Sequence, residues 1–191
     1  MKITKTQSLA NRAHIVETAS ALFRERGYDG VGVAELMATA GFTQGGFYKH
    51  FASKADLMAE AAQHSLSKSS ASAAELEVAD FINVYVSKRH RDARATGCTL
   101  AALCGDAARQ PEALKTTFAS GVENTLAALE KNAQAGLQTP APNAREQMIE
   151  LLAQAVGALM LSRACADDSA LADEILEVCR GGLLRRQHEQ H

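Results

Sequence analysis

Prolines are scarce in this chain of 191 residues, three in all, and no apolar run is long enough to cross a bilayer. A spanning helix needs about 20 apolar residues. The most apolar stretch, 151–161, is shorter and contains Gln154. The basic start, MKITKTQSLANRAH, has no apolar run behind it, so no secretory leader is expected and the cytoplasm is the expected location. Four cysteines (Cys98, Cys104, Cys165, Cys179) fall at no metal-ligand spacing, and no phosphate-binding loop occurs. No metal site and no cofactor are therefore expected, and the cysteines read as free thiols of a reducing compartment. What the chain does have is 47% hydrophobic residues with abundant Ala and Leu. That composition suits a mostly helical, soluble fold of one or two domains with a sizeable core.

The net charge of −2 says little, but its distribution says more. Residues 1–54 hold seven basic and four acidic residues, a net +3, while the remainder holds 13 basic and 18 acidic, a net −5. A basic head on an acidic body fits an N-terminal module for a polyanion.

The most informative stretch is 43–54, TQGGFYKHFASK. It reads as a short helix capped by the Thr43 hydroxyl. Phe47 and Phe51 lie four apart and share the inward face. Gln44, Gly45, Tyr48 and Lys49 then face away, with His50 and Lys54 at the far end. An amide, a phenol and cations on a face flattened by glycine are groups for base edges and phosphate oxygens. A helix built only for packing gains nothing from Gly45-Gly46 in its first turn, where each glycine costs about 1 kcal/mol against Ala.

The flanking segments hold this one. A first helix is expected over 8–26, with Ile15, Ala19, Leu22 and Phe23 inward and Gly27 ending it. A second is expected over 33–40, with Val33, Leu36 and Met37 inward; Gly41 stops it and Phe42 packs back. Two short helices joined by a glycine turn, the second polar outward, make a helix-turn-helix. Ser53 caps a long helix with Asp56 in its first turn, and the small polar piece 65–74 is either its end or a loosened connection. Further helices are expected over 75–91, 98–109 and 112–135, with a charged loop over 89–97 and a linker over 136–143. The last two, 144–165 and 169–186, are apolar around much of their girth, which suits a subunit interface. His188 and His191 are three apart, but a frayed polar tail explains them better than a metal does.

The head resembles the TetR/AcrR family of bacterial transcriptional repressors. The resemblance covers about 13–59: Ile15, Ala19, Leu22-Phe23 and Gly27-Tyr28, then Ala34 and Ala38-Thr39-Ala40-Gly41, then FYKHFASKADL. It implies an all-α protein of about nine helices. A three-helix helix-turn-helix domain (1–52) would bind DNA, and a larger domain (53–191) would bind an effector and dimerise through the last two helices. Position by position, it implies that Gln44, Gly45 and Gly46 touch bases in the major groove. Tyr48 and His50 would meet the DNA backbone, Tyr48 also a base, and Thr43 and Lys54 phosphates; Lys49 lies on the same outer face. One departure stands out. The family often has a Ser or Thr pair where this chain has Val31-Gly32, so Gly32 offers only a backbone N–H.

The resemblance implies a ligand-responsive repressor, acting as a homodimer on a palindromic operator and released by a small molecule. Phe81, Tyr85, Leu103 and Phe118 lie on inward faces where family pockets form, each equally explained as core packing. Their lack of charge suits an apolar or neutral effector, with Tyr85 as a polar handle. Cys98, at a predicted helix start, is a further candidate for an electrophilic effector; Cys104, Cys165 and Cys179 read as small core residues. Two other classes compete. One is a helical adaptor that has lost DNA binding, against which Tyr48, His50 and Lys54 speak. The other is an enzyme with Cys98 or Cys104 as nucleophile and His64 or His90 as base, which no segment of the sequence assembles.

Overall fold

The structure, a computed structural model, describes residues 4–135 and 143–189; the predicted linker up to residue 142 and His191 lie outside them. Nine α-helices and two 3-10 turns occur among the described residues, and no strand. The expected all-α class is what is observed.

Helix α1 (Lys5–Arg26) starts before the predicted residue 8 because the Thr4 hydroxyl supplies a cap, accepting from the Gln7 N–H at 3.1 Å. It ends where Gly27 takes φ 75°, its N–H bonded to Phe23 O at 2.8 Å. Ile15, Val16, Ala19 and Phe23 form its buried face. Helix α2 (Val33–Thr39) buries Leu36 and Met37, and Gly41, at φ 80°, turns the chain away from it. Phe42 then packs half-buried, as expected, edge-on to the His14 ring at 6.3 Å.

The next segment departs from the reading of the sequence. Gln44–Lys49 is a 3-10 turn rather than an α-helix, and Thr43, though at its cap position, makes no side-chain capping bond. Two glycines at the start weaken the helical preference, and six residues leave little room for the i to i−4 ladder. Gly46 N–H reaches Thr43 O at 2.9 Å and His50 N–H reaches Phe47 O at 2.9 Å, both three residues back. Ser53 caps α3 (Lys54–Ala74) as predicted, accepting from Asp56 N–H at 3.1 Å, while the Asp56 carboxylate accepts from Ala52 N–H at 3.2 Å. The small polar piece 65–74 is the end of this helix, not a loose connection.

The single helix expected over 75–91 is two. Helix α4 (Val78–Tyr85) stops at Val86, where ψ reaches 66°, and α5 (Lys88–Asp92) restarts from Ser87, whose hydroxyl accepts from His90 N–H at 3.2 Å. The expected loop over 89–97 is thus mostly α5 and a 3-10 turn, Arg94–Thr96. Ser87 is the signal that was overlooked: a hydroxyl residue in mid-helix competes for the backbone and marks a new start. Helix α6 (Thr99–Ala107) begins at Cys98, as read.

Helix α7 (Glu112–Ala133) packs along α3. They come close at Gly121, where an added Cβ would lie 2.6 Å from Leu66 Cδ1. The far end of α3 is held by Asn132 on α7, whose Nδ2 donates to Ala73 O at 2.9 Å and Leu76 O at 2.7 Å. Ser65 and Thr99 join hydroxyls at 2.7 Å in the core between α3 and α6. Helices α8 (Ala144–Ala164) and α9 (Ala170–Glu189) pack on each other, tied by Ser162 Oγ to Ala172 O at 2.7 Å. They leave Met160, Leu161, Leu171 and Val178 exposed.

The Gly121 crossing sets a stability prediction. Gly121→Val should lower stability by about 1–3 kcal/mol, since its methyls must displace buried Leu66. Urea titration followed by circular dichroism will read this as a lower midpoint at an unchanged slope.

Candidate nucleic-acid interface

The turn Gln44–Lys49 is fixed from below. Phe47 and Phe51 are buried, with ring centroids 5.5 Å apart. The Arg12 guanidinium of α1 sits 4.3 Å from the Phe51 centroid and pairs in bidentate fashion with Glu60 of α3, Nε to Oε1 at 3.1 Å. One guanidinium thus stacks on a ring and spans two helices, a use that suits its planar fork. Above this floor Tyr48 stands 74% exposed, edge-on to Phe47 at 5.2 Å.

Thr43, Gln44, Gly45 and Lys49 are exposed beside Tyr48, and His50 is half-buried with its ring 6.2 Å from Phe51. A Cβ on Gly45 would meet nothing within 4 Å, so its lack of a side chain leaves the outer surface open rather than relieving a clash. Gly46 is half-buried and faces Met37. Seven of the eight residues singled out from the sequence therefore lie on or beside one short turn. The eighth, Lys54, is turned inward: its ammonium donates to Tyr28 O at 2.5 Å. Gly32 caps α2 with no side chain, and a Cβ there would also meet nothing within 4 Å, so sterics do not demand the glycine.

Residues 15–61 match the bacterial regulatory proteins of the tetR family. The match likens the head to the N-terminal domain of that family. The transcriptional regulator AcrR of Shigella flexneri is 36% identical over 74 residues, 39% of this chain and 34% of that protein. The transcriptional repressor DhaR of Mycobacterium sp. (strain GP1) is 46% identical over 43 residues, 22% of each chain. The chain thus matches about a third or less of the length of these curated relatives. The reduced form of E. coli NemR superposes with a TM-score of 0.75 at 20% identity, covering 91% of this chain and 95% of that one. At that identity the likeness is one of fold.

The five body residues expected around an effector are all buried: Phe81, Tyr85, Cys98, Leu103 and Phe118. The Phe81 and Tyr85 rings pack at a tilt of 34° with centroids 5.1 Å apart. The Tyr85 hydroxyl, beside the Cys98 thiol, has no hydrogen-bond partner of good geometry. Burial pushes this phenol's pKa well up, the neighbouring thiol adding to the shift. None of the five lines the groove of about 230 Å³ between α3 and α7, which is bordered by Gln63, Ser67, Thr116, Ser120 and Asn124.

The sequence missed what surrounds Tyr85. His90 stands edge-on to it at 4.6 Å, with Nδ1 bonded to Tyr85 O at 2.8 Å and Nε2 accepting from Cys98 N–H at 2.9 Å. The imidazole is therefore a neutral cap on the start of α6, with its proton on Nδ1. Arg163 of α8 closes the cluster, its guanidinium donating to His90 O at 2.8 Å and Arg91 O at 3.1 Å. His90 and Cys98 are brought together, but by a backbone N–H; both ring nitrogens are occupied, so no thiol–imidazole pair forms. The Cys104 thiol is pushed up to about 11 by burial first and by Cys98 second. Among the described residues no three His, Cys, Asp or Glu side chains gather to hold a metal.

Burial lowers the His90 pKa, the Arg163 charge reinforcing it against the bond to Tyr85 O. The unfolded chain then binds the proton first. The stabilising cap is fully present above the ordinary histidine value of about 6.5 and weakens as pH falls through it. Melting temperatures at pH 7.5 and pH 5.5 should show a larger acid-side drop for the wild type than for His90→Gln, which keeps an acceptor but does not titrate.

Proposed function

We propose that this protein is a ligand-responsive transcriptional repressor that binds a near-palindromic operator as a homodimer and is released by a small-molecule effector. The observation that carries the reading is Tyr48: a phenol left 74% exposed on a turn whose other ring, Phe47, is fully buried. An exposed aromatic on an immobilised, glycine-flattened turn can press close to a DNA backbone and reach a base edge. Residues 1–52 form the DNA-binding domain in this reading, with Gln44, Gly45 and Gly46 toward the bases. Tyr48, Lys49, His50, Thr43 and Lys54 face the backbone. Lys54 has three protons, and its bond to Tyr28 O leaves two for a phosphate.

Residues 53–191 form the effector and dimerisation domain. Exposed Met160, Leu161, Leu171 and Val178 on α8 and α9 favour pairing through these helices. Two copies then set the turns about 34–36 Å apart, one DNA repeat. The unpartnered Tyr85 hydroxyl favours an apolar effector that offers it one acceptor, or an electrophile that reaches Cys98. Release is a shift of population between head spacings, limited by the effector's differential affinity for the two states. No described helix is long and apolar enough to cross a membrane, and the cytoplasm is the proposed location.

Selection from random DNA should enrich a short palindrome; a sound dimer that enriches none would favour the adaptor reading. On the selected operator, Tyr48→Ala should weaken binding by roughly tenfold or more in a gel shift while its thermal unfolding stays near wild type, since the side chain is exposed. Unchanged affinity in the folded variant would remove Tyr48 from the interface.

A further inference from the structure

The head bonds the body at several points, Arg24 Nε donating to Ala95 O at 2.8 Å and Arg12 pairing with Glu60, and one of them, at residue 28, runs to the lysine just assigned to a phosphate. Asp106 lies near the end of α6, the helix that starts beneath Tyr85 at the Cys98 cap. Its Oδ2 accepts from Tyr28 N–H at 3.1 Å. Tyr28 O in turn accepts from Lys54 Nζ at 2.5 Å. The Tyr28 ring is buried, packed edge-on against Phe23 at 5.1 Å, so the residue cannot swing freely about these two bonds. Gly27 clears the seat: a Cβ there would stand 2.8 Å from Asp106 Oδ2, and its φ of 75° suits glycine. Among the described residues nothing else in the head bonds to Asp106; its other oxygen accepts from Arg109 of the body at 3.0 Å.

We propose that Asp106 is a positioning residue for the DNA contact of Lys54, acting from the body through the backbone of residue 28. The proposal rests on the reading that Lys54 meets a phosphate. Asp106 holds the Tyr28 N–H, which sets where the Tyr28 carbonyl points, and that carbonyl orients the ammonium for its phosphate. A displacement of α6 then reaches the operator through a residue that touches no DNA.

The test measures operator affinity against salt for the full-length protein, with the operator recovered by selection. Lys54→Ala removes one phosphate contact and should lower the slope of log K against log salt by about one. Asp106→Ala should lower it too and lose on the order of tenfold in affinity, by freeing a bond to a charged group. The double variant should bind no more weakly than Lys54→Ala, because the two residues act as one unit. Asp106→Asn keeps an acceptor oxygen and should keep the wild-type slope. Asp106→Ser, too short to reach Tyr28, should behave like the alanine variant and serves if that one does not fold.

If Lys54→Ala lowers the slope while Asp106→Ala or Asp106→Ser leaves it unchanged, Asp106 only stabilises the fold and the proposal is overturned. Full additivity of the two losses overturns it equally. If Lys54→Ala itself leaves the slope unchanged, the phosphate reading of Lys54 falls and takes this inference with it.

Discussion

The buried pair Phe47 and Phe51 is the constraint on which the candidate interface depends. A six-residue 3-10 turn with two glycines and no side-chain cap has almost no stability of its own. It holds its shape because two rings carry it into the head core, each buried aromatic contributing about 3–5 kcal/mol by the cost of its removal. Arg12 closes the arrangement by lying over Phe51 and gripping Glu60, so the turn, α1 and α3 form one body. The outer face can then afford glycine and an exposed phenol, because nothing on that face is needed for folding.

Rigid coupling to α3 has a consequence for the rest of the chain. Helix α3 runs 21 residues, about 32 Å at the α-helical rise, from the capping Ser53 to the carbonyls held by Asn132. It crosses α7 with the two backbones brought close at Gly121. A helix gripped at both ends and packed midway is suited to pass a repacking against α7 or α6 on to the turn. Interiors packed this closely have discrete alternatives rather than a continuous range of deformations.

The parts legible in the sequence were those set by local chemistry. Glycines at 27 and 41 marked real left-handed turns, Ser53 marked a real cap, and the spacing of Phe47 and Phe51 gave the inward face of the turn. Local signals failed where two tendencies competed. Apolar residues 78–86 continue a helical stripe, yet Ser87 restarts the chain, and the stripe alone hid the break. Lys54 looked like a free surface cation because its partner is a main-chain carbonyl 26 residues away, which no side-chain pattern reports. The roles of Asp106 and His90 were hidden for the same reason: each acts on a backbone N–H brought close only by the tertiary fold.

Two unmet hydrogen bonds of the core lie beside α6. Among the described residues two buried phenols, Tyr28 and Tyr85, have hydroxyls without a hydrogen-bond partner of good geometry. An orphaned buried polar group costs about 1–3 kcal/mol, and here the two flank opposite ends of one nine-residue helix. Tyr85 lies by Cys98 at its start, and Tyr28 lies by Cys104 and Asp106 toward its end, the same neighbours that with burial push both phenols' pKa values up. The start is capped by an imidazole rather than by a hydroxyl or carboxylate, and the end is tied to the head by a carboxylate. A group that brought an acceptor to the Tyr85 hydroxyl would remove one of these two penalties and not the other. Such one-sided relief favours whichever position of α6 suits the new bond, and α6 cannot shift without carrying Asp106, and with it the backbone of residue 28, along.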